Sequence, residues 1–106
     1  MIRVTGLYRE MPDSKLDFNY YVNTHMPLAK KLMSEFGMGS FEVERGIEAA
    51  DGEAAPFVCI THVEFPTIED FRHGLEKHGE ELYADIPNYT NIEPEIQFSE
   101  IVNPRD

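Results

Sequence analysis

Nine residues, Phe57 to Phe65, limit the fold more than any other stretch of the chain. In an extended strand Phe57, Cys59, Val63 and Phe65 fall on one side. Val58 and Ile60 fall on the other, followed there by His62 and Glu64. A strand with apolar residues on both sides belongs inside a sheet that is covered on both faces. Three weaker strand patterns flank it. In Ile2–Arg9, Ile2, Val4, Gly6 and Tyr8 alternate with Arg3, Thr5, Leu7 and Arg9. In Phe41–Ile47, Phe41, Val43 and Ile47 alternate with acidic residues, and in Asn91–Val102 the apolar positions are Ile96, Phe98 and Val102.

Two helical patterns lie between these strands. Phe18, Tyr21, Val22, His25, Leu28, Ala29, Leu32 and Phe36 recur at helical spacing, with Asp17 as N-cap and Gly37 as a left-handed C-cap. Ile68, Phe71, Leu75, His78, Leu82 and Ile86 make a second stripe after the capping residue Thr67, with Asp70 at the capping-box position; His73 falls off that stripe into solvent. The order β-α-β-β-α-β, joined by right-handed crossovers, predicts an α+β, ferredoxin-like antiparallel sheet with both helices on one face. The 106 residues suit one domain, residues 1–106. With both helices on one side, the other face of the central strand is bare in a single copy. A bare apolar face marks an association surface, which predicts a homodimer packed sheet to sheet.

His25 is out of place in its stripe. The pattern turns it inward, and Pro27 cannot sit inside an unbroken helix without losing a hydrogen bond and clashing with the preceding turn. A break near Asn23–Thr24, with Thr24 capping a fresh start, accommodates Pro27 in a first turn. Two roles fit an inward histidine: a core ring satisfied by a nearby hydroxyl or carbonyl, or an acid–base group in a pocket. A pocket between helices and sheet is expected to be lined by Phe18, Tyr21, Leu28, Leu82 and Tyr83, with His25 and His78 as polar points. His62 faces the pocket or the dimer side, depending on register. The loop from Asp85 to Asn91 carries hydrogen-bonding side chains, Tyr89 among them, and is a second candidate; turn chemistry alone also accounts for it.

Other classes are disfavoured. A net charge of −11 repels phosphate backbones and anionic membranes, so neither nucleic acid nor membrane is an expected partner. The single cysteine, Cys59, excludes an internal disulfide and suits a cytoplasmic location, and no signal peptide or membrane span is visible. His25, His62 and His78 have no metal-ligand spacing, so no metal is expected. No nucleophile elbow or phosphate loop occurs.

The segments Ile2–Tyr8, Phe18–Leu28, His78-Gly79 and Asp85–Ile92 resemble the EthD family, named for a protein of ethyl tert-butyl ether degradation. The most specific parts are Tyr20-Tyr21-x-x-x-His25-x-Pro27-Leu28 and Asp85-Ile86-Pro87-Asn88-Tyr89-Thr90-Asn91. The resemblance implies a dimeric α/β barrel whose ligand lies between sheet and helices, with a histidine on the first helix, here His25, as polar anchor. His78, Asp85 and Asn91 match family positions to which no role is assigned. Similar small dimers include cofactor-free quinone-forming monooxygenases, muconolactone-type isomerases and dehydratases. The expected function is therefore that of an enzyme acting on a small hydrophobic or aromatic metabolite, without metal or organic cofactor, with His25 as acid or base. The alternative is a non-catalytic ligand-binding or accessory module of a degradation pathway.

Overall fold

The computed structural model describes residues 1–103 of the chain. The tail expected from Asn103 onward lies outside the described residues after its first member. The elements are β1 (Ile2–Arg9), α1 (Phe18–Tyr20), a wide π-turn (Tyr21–His25), α2 (Met26–Met33), a 3₁₀ turn (Ser34–Phe36), β2 (Phe41–Arg45), β3 (Phe57–Phe65), α3 (Ile68–Asp85), a second 3₁₀ turn (Ile86–Asn88) and β4 (Glu95–Ser99). The strands form one antiparallel sheet in the order β2-β3-β1-β4. The fold is the α+β, ferredoxin-like arrangement read from the element order.

β1 and β3 are the inner pair, registered Val4 to Val63 and Gly6 to Thr61. Their inward faces carry the core: Val4, Tyr8, Cys59, Val63 and Phe65 are buried against Tyr21, Met26, Ala29 and Met33 of the first helical segment and Leu82 of α3. Phe71 of α3 packs edge-on against Phe65 and Phe98, at ring separations of 5.2 and 5.5 Å. Gly74 brings α3 close to α2, since a Cβ there would lie 2.5 Å from the Met33 methyl. The opposite sheet face has no helix over it. Leu7, Val58, Ile60 and His62 are half-buried there, and the molecule is only 19 Å across its thin axis.

Asp17, Gly37 and Thr67 act as the caps read from the sequence. Asp17 accepts the Tyr20 N–H, Gly37 is left-handed at φ 88°, and Thr67 Oγ1 accepts the Asp70 N–H at 3.1 Å. Asp70 does not reach back to the backbone as a capping-box acid would; its short carboxylate accepts the Thr67 hydroxyl instead.

The helix interruption takes a form other than the one expected. Thr24 caps nothing, and the chain does not leave the helical region. Met26 N–H donates to the Tyr21 carbonyl, one residue further back than in an α-helix. The wide turn moves the Asn23 carbonyl away from Pro27, whose ring would strike it in a regular turn and whose nitrogen has no proton to give it. The added residue rotates everything after it by about 100°. The inward positions of α2 are consequently Met26, Ala29 and Met33, with Leu28 and Leu32 turned to half-buried flanks.

Two strands are shorter than their patterns. β2 stops at Arg45 because Gly46 bends against β3, where a Cβ would lie 2.2 Å from the Phe57 carbonyl; Ile47 is left exposed. β4 spans Glu95–Ser99, not Asn91–Val102. Its ladder ends at Ser99 opposite Arg3, near the start of β1, and Val102 is 82% exposed. Residues before Pro94 are held in a loop in which Ile92 is buried. Among the described residues no helix is long and apolar enough to cross a membrane.

Candidate functional site

Between the sheet and the helices lies a cavity of about 130 Å³ that is open on one side. Its floor is the inward face of β1 and β3, with Val4, Gly6, Tyr8, Thr61 and Val63. Tyr21, His25, Met26, Ala29 and Met33 form one wall, and Phe71, Leu75, Leu82, Tyr83 and Ile86 of α3 and its end form the other. Tyr83 and Ile96, 55% and 45% exposed, lie on its open side. The lining is overwhelmingly apolar, so any polar atom reaching it is conspicuous.

His25 is the imidazole buried in that lining, 7% exposed. It closes the π-turn, and its Nδ1 lies 2.9 Å from Asp85 Oδ2 at the end of α3. Asp85 also accepts the Tyr20 hydroxyl at 2.6 Å and the Asn88 amide at 2.9 Å, both on Oδ1. Burial pushes the Asp85 carboxyl up, and these three hydrogen bonds more than reverse it, leaving the group below its ordinary value. An ionised carboxylate only accepts, so Nδ1 carries the proton toward Asp85. In the neutral ring Nε2 then holds the lone pair. Nε2 has no hydrogen-bond partner among the described residues, the atom is not fully buried, and His25 is one of the residues lining the cavity.

Tyrosine rings surround the histidine. Tyr21 stacks on it at 5.6 Å and Tyr89 lies at 4.7 Å. Tyr21 and Thr61 share a hydroxyl contact of 2.7 Å, as do Tyr8 and Tyr89. Burial raises the hydroxyls of Tyr8, Tyr21 and Tyr89 far above the ordinary tyrosine value, so all three remain protonated. With their partners engaged, they hold the ring in place and leave Nε2 of His25 as the uncommitted polar atom.

The structure brings together His25, Tyr21, Leu82, Tyr83, Asp85 and Tyr89 from the sequence candidates, and it separates five others. Phe18 lies under the Arg45 guanidinium, 4.1 Å from its ring centroid, and is not part of the cavity wall. Leu28 is turned off the wall by the π-turn. His78 bonds Glu35 at 3.2 Å and ties α3 to the Ser34–Phe36 turn, so it is not a polar point of the cavity. His62 occupies the bare sheet face, with Thr5 at 3.3 Å and Glu44 at 3.6 Å. Asn91 fastens a loop, accepting the Lys15 N–H and donating to the Asp13 carbonyl. The three histidines therefore never meet, and no cluster of three or more potential metal ligands occurs among the described residues.

Tyr8, Thr61 and Tyr20 were missed as site residues, and Asn88 was covered only as a member of the Asp85–Asn91 loop. Tyr8 and Thr61 carry polar tips on the inward faces of β1 and β3, the same signal that singles out His25 on its helix. Tyr20 and Asn88 sit one residue from Tyr21 and Tyr89, and nothing in their spacing identifies a shared carboxylate.

No curated protein sequence matches the chain. Among solved structures, an EthD-like protein from Ralstonia eutropha JMP134 is 32% identical, with a TM-score of 0.89 over 98% of this chain and 94% of that one. An ethyl tert-butyl ether degradation (EthD) family protein from Bacillus halodurans C-125 is 18% identical, with a TM-score of 0.65 over 96% and 99%. A protein described as an antibiotic biosynthesis monooxygenase shares the fold at 12% identity and a TM-score of 0.50, over 97% and 100%. The EthD domain matches residues 13–93, which take in both helices, the central strand and the His25–Asp85 pair. The chain belongs to the EthD family.

Proposed function

We propose that the protein is an acid–base enzyme for a small hydrophobic or aromatic metabolite, with His25 Nε2 as the group that takes the substrate's proton. The observation that carries this reading is the 2.9 Å contact between His25 Nδ1 and Asp85 Oδ2 on the wall of an apolar cavity; because a carboxylate only accepts, Nδ1 is assigned the proton. A carbon or oxygen acid bound there gives its proton to Nε2. The imidazolium that forms is stabilised through Nδ1–H by the Asp85 carboxylate, which Tyr20 and Asn88 keep ionised and aimed. Positioned groups of this kind contribute about 10²–10⁴-fold. The anion left behind reacts with O₂, as in a cofactor-independent monooxygenase, regains a proton at another position, as in an isomerase, or expels a β-hydroxyl that leaves as water with the proton held on Nε2, as in a dehydratase. The fold shared with a protein described as a monooxygenase supports the first branch at the level of architecture alone.

The test is His25→Gln, which keeps volume and a hydrogen-bonding tip. Binding of 2-cyclohexenone and its deuterium uptake from D₂O are measured separately by NMR. Uptake lost with binding kept supports the reading. Uptake unchanged refutes it, and wild-type binding without uptake favours the alternative of a ligand-binding module.

The protein is further proposed to work as a homodimer through the bare sheet face. Leu7, Val58 and Ile60 supply apolar area there, and Arg3 Nε is buried with no hydrogen-bond partner among the described residues. Sedimentation of wild type near twice 12.2 kDa, and of Ile60→Asp near 12.2 kDa, is the expected result. A monomeric wild type at micromolar concentration refutes it.

A further inference from the structure

We infer that Gly6 is the specificity-determining floor of the cavity, and that the ligand it admits is a neutral compound of one six-membered ring bearing one acidic proton. This rests on the reading of the cavity as the substrate site and narrows its substrate class.

The argument begins with a residue that is costly where it stands. β1 is an inner strand, paired on both sides, and Gly6 lies at its middle opposite Thr61 and Ile96. Glycine weakens a strand interior, and in such a position it often marks close approach by a ligand or another backbone. No backbone approaches here. A Cβ built on Gly6 meets nothing nearer than Thr61 Cβ and Tyr8 Cε1, both at 4.0 Å. The site has room for a side chain, and the absence of one opens the cavity floor. Along the same face Val4 and Tyr8 are 3% and 4% exposed, as an inward strand requires, and the glycine between them contributes floor without a side chain.

Volume then limits the occupant. An apolar cavity of about 150 Å³ takes benzene. At about 130 Å³ this one takes a single ring, with the open side by Tyr83 and Ile96 free for a short substituent. Three methionines, Met26, Met33 and Met38, line it, so its walls adjust to small changes in shape. The uncommitted Nε2 of His25 accepts one hydrogen bond, which suits one hydroxyl or one acidic C–H. A charged group finds no partner in the apolar lining, so the ligand enters neutral.

The experiment uses the full chain with methyl-labelled methionine, and NMR titration with phenol, 2-naphthol and 9-phenanthrol. Saturable shifts of cavity methionine methyls are expected with phenol, with affinity falling as rings are added. Gly6→Val is expected to weaken phenol at least tenfold while raising Tm by about 2–6 °C, because the strand gains a favourable residue. Gly6→Ala, whose Cβ makes only ordinary contacts, is the variant that decides should valine perturb folding; it gives the same two signs at smaller size. Tighter binding of 9-phenanthrol than of phenol, no methionine shift with phenol, or unchanged phenol affinity in both variants overturns the inference. Deuterium uptake by 2-cyclohexenone separates this from the acid–base reading. Uptake with the wrong ring-size order sinks the inference alone, and the right order without uptake sinks the acid–base reading alone.

Discussion

Asp85→Asn isolates the carboxylate from the shape of the site. Tyr20 O–H and Asn88 N–H both donate to Oδ1, so the asparagine oxygen is held at that position. Its NH₂ then replaces Oδ2 and aims a proton at His25 Nδ1, 2.9 Å away in the native pair. The ring answers by accepting at Nδ1 and protonating Nε2, which is the wrong form for a base. The charge is lost as well. A carboxylate and an imidazolium about 4 Å apart at an effective dielectric near 20 attract by about 4 kcal/mol. The two side chains are 9% and 14% exposed, so solvent screens little of this, while the amide dipole recovers a part. The net is about 2–4 kcal/mol on the proton-transfer barrier, or roughly 30- to 1000-fold in rate. Deuterium uptake by 2-cyclohexenone reads the rate, and long-range ¹H–¹⁵N spectra of the imidazole read the tautomer. An unchanged rate with Nδ1 still protonated would refute the assignment of Asp85.

Three further outcomes follow from the same geometry. Asp85 titrates below its ordinary value in the folded state, so it contributes stability above the unfolded carboxylate range that is lost as pH falls below about 4; urea midpoints of wild type should drop more than those of Asp85→Asn on acidification. Tyr89→Phe leaves the buried Tyr8 hydroxyl without its 2.7 Å partner, which should lower stability by about 1 kcal/mol and Tm by about 4–8 °C in thermal melts. Burial pushes the Cys59 thiol up to about 11, and the side chain is fully enclosed; thiol reagents at about pH 8 should modify it only as fast as the chain unfolds.

How far the sequence could be read depended on whether a signal was local. The two-sided pattern of Phe57–Phe65 and the helical stripes are periodicities imposed by burial, and they locate the sheet and the helix-bearing face. His25 stood out because an imidazole among apolar neighbours breaks such a pattern. The π-turn did not stand out. Pro27 announced an interruption, yet a capped break and a widened turn satisfy it equally, and they differ by one residue of register. That residue moved Leu28 off the cavity and brought Met26 and Met33 onto it. His78 fell on the right helical stripe and still missed the cavity, because Glu35, distant in sequence, holds it. Asp85 was marked only as part of a polar loop and by resemblance; its bond to His25 joins residues sixty apart, which no periodicity encodes. β4 was overextended because alternation continued past the point where β1 offers a partner.

The account turns on which nitrogen of His25 meets the ligand. Titrating phenol into protein labelled with ¹⁵N-histidine reports both ring nitrogens of His25 directly. The expected result is a saturable shift at Nε2, with Nδ1 keeping its proton and its bond to Asp85. A ring whose two nitrogens ignore the ligand, or a response confined to Nδ1, would contradict the claim that this imidazole serves the cavity.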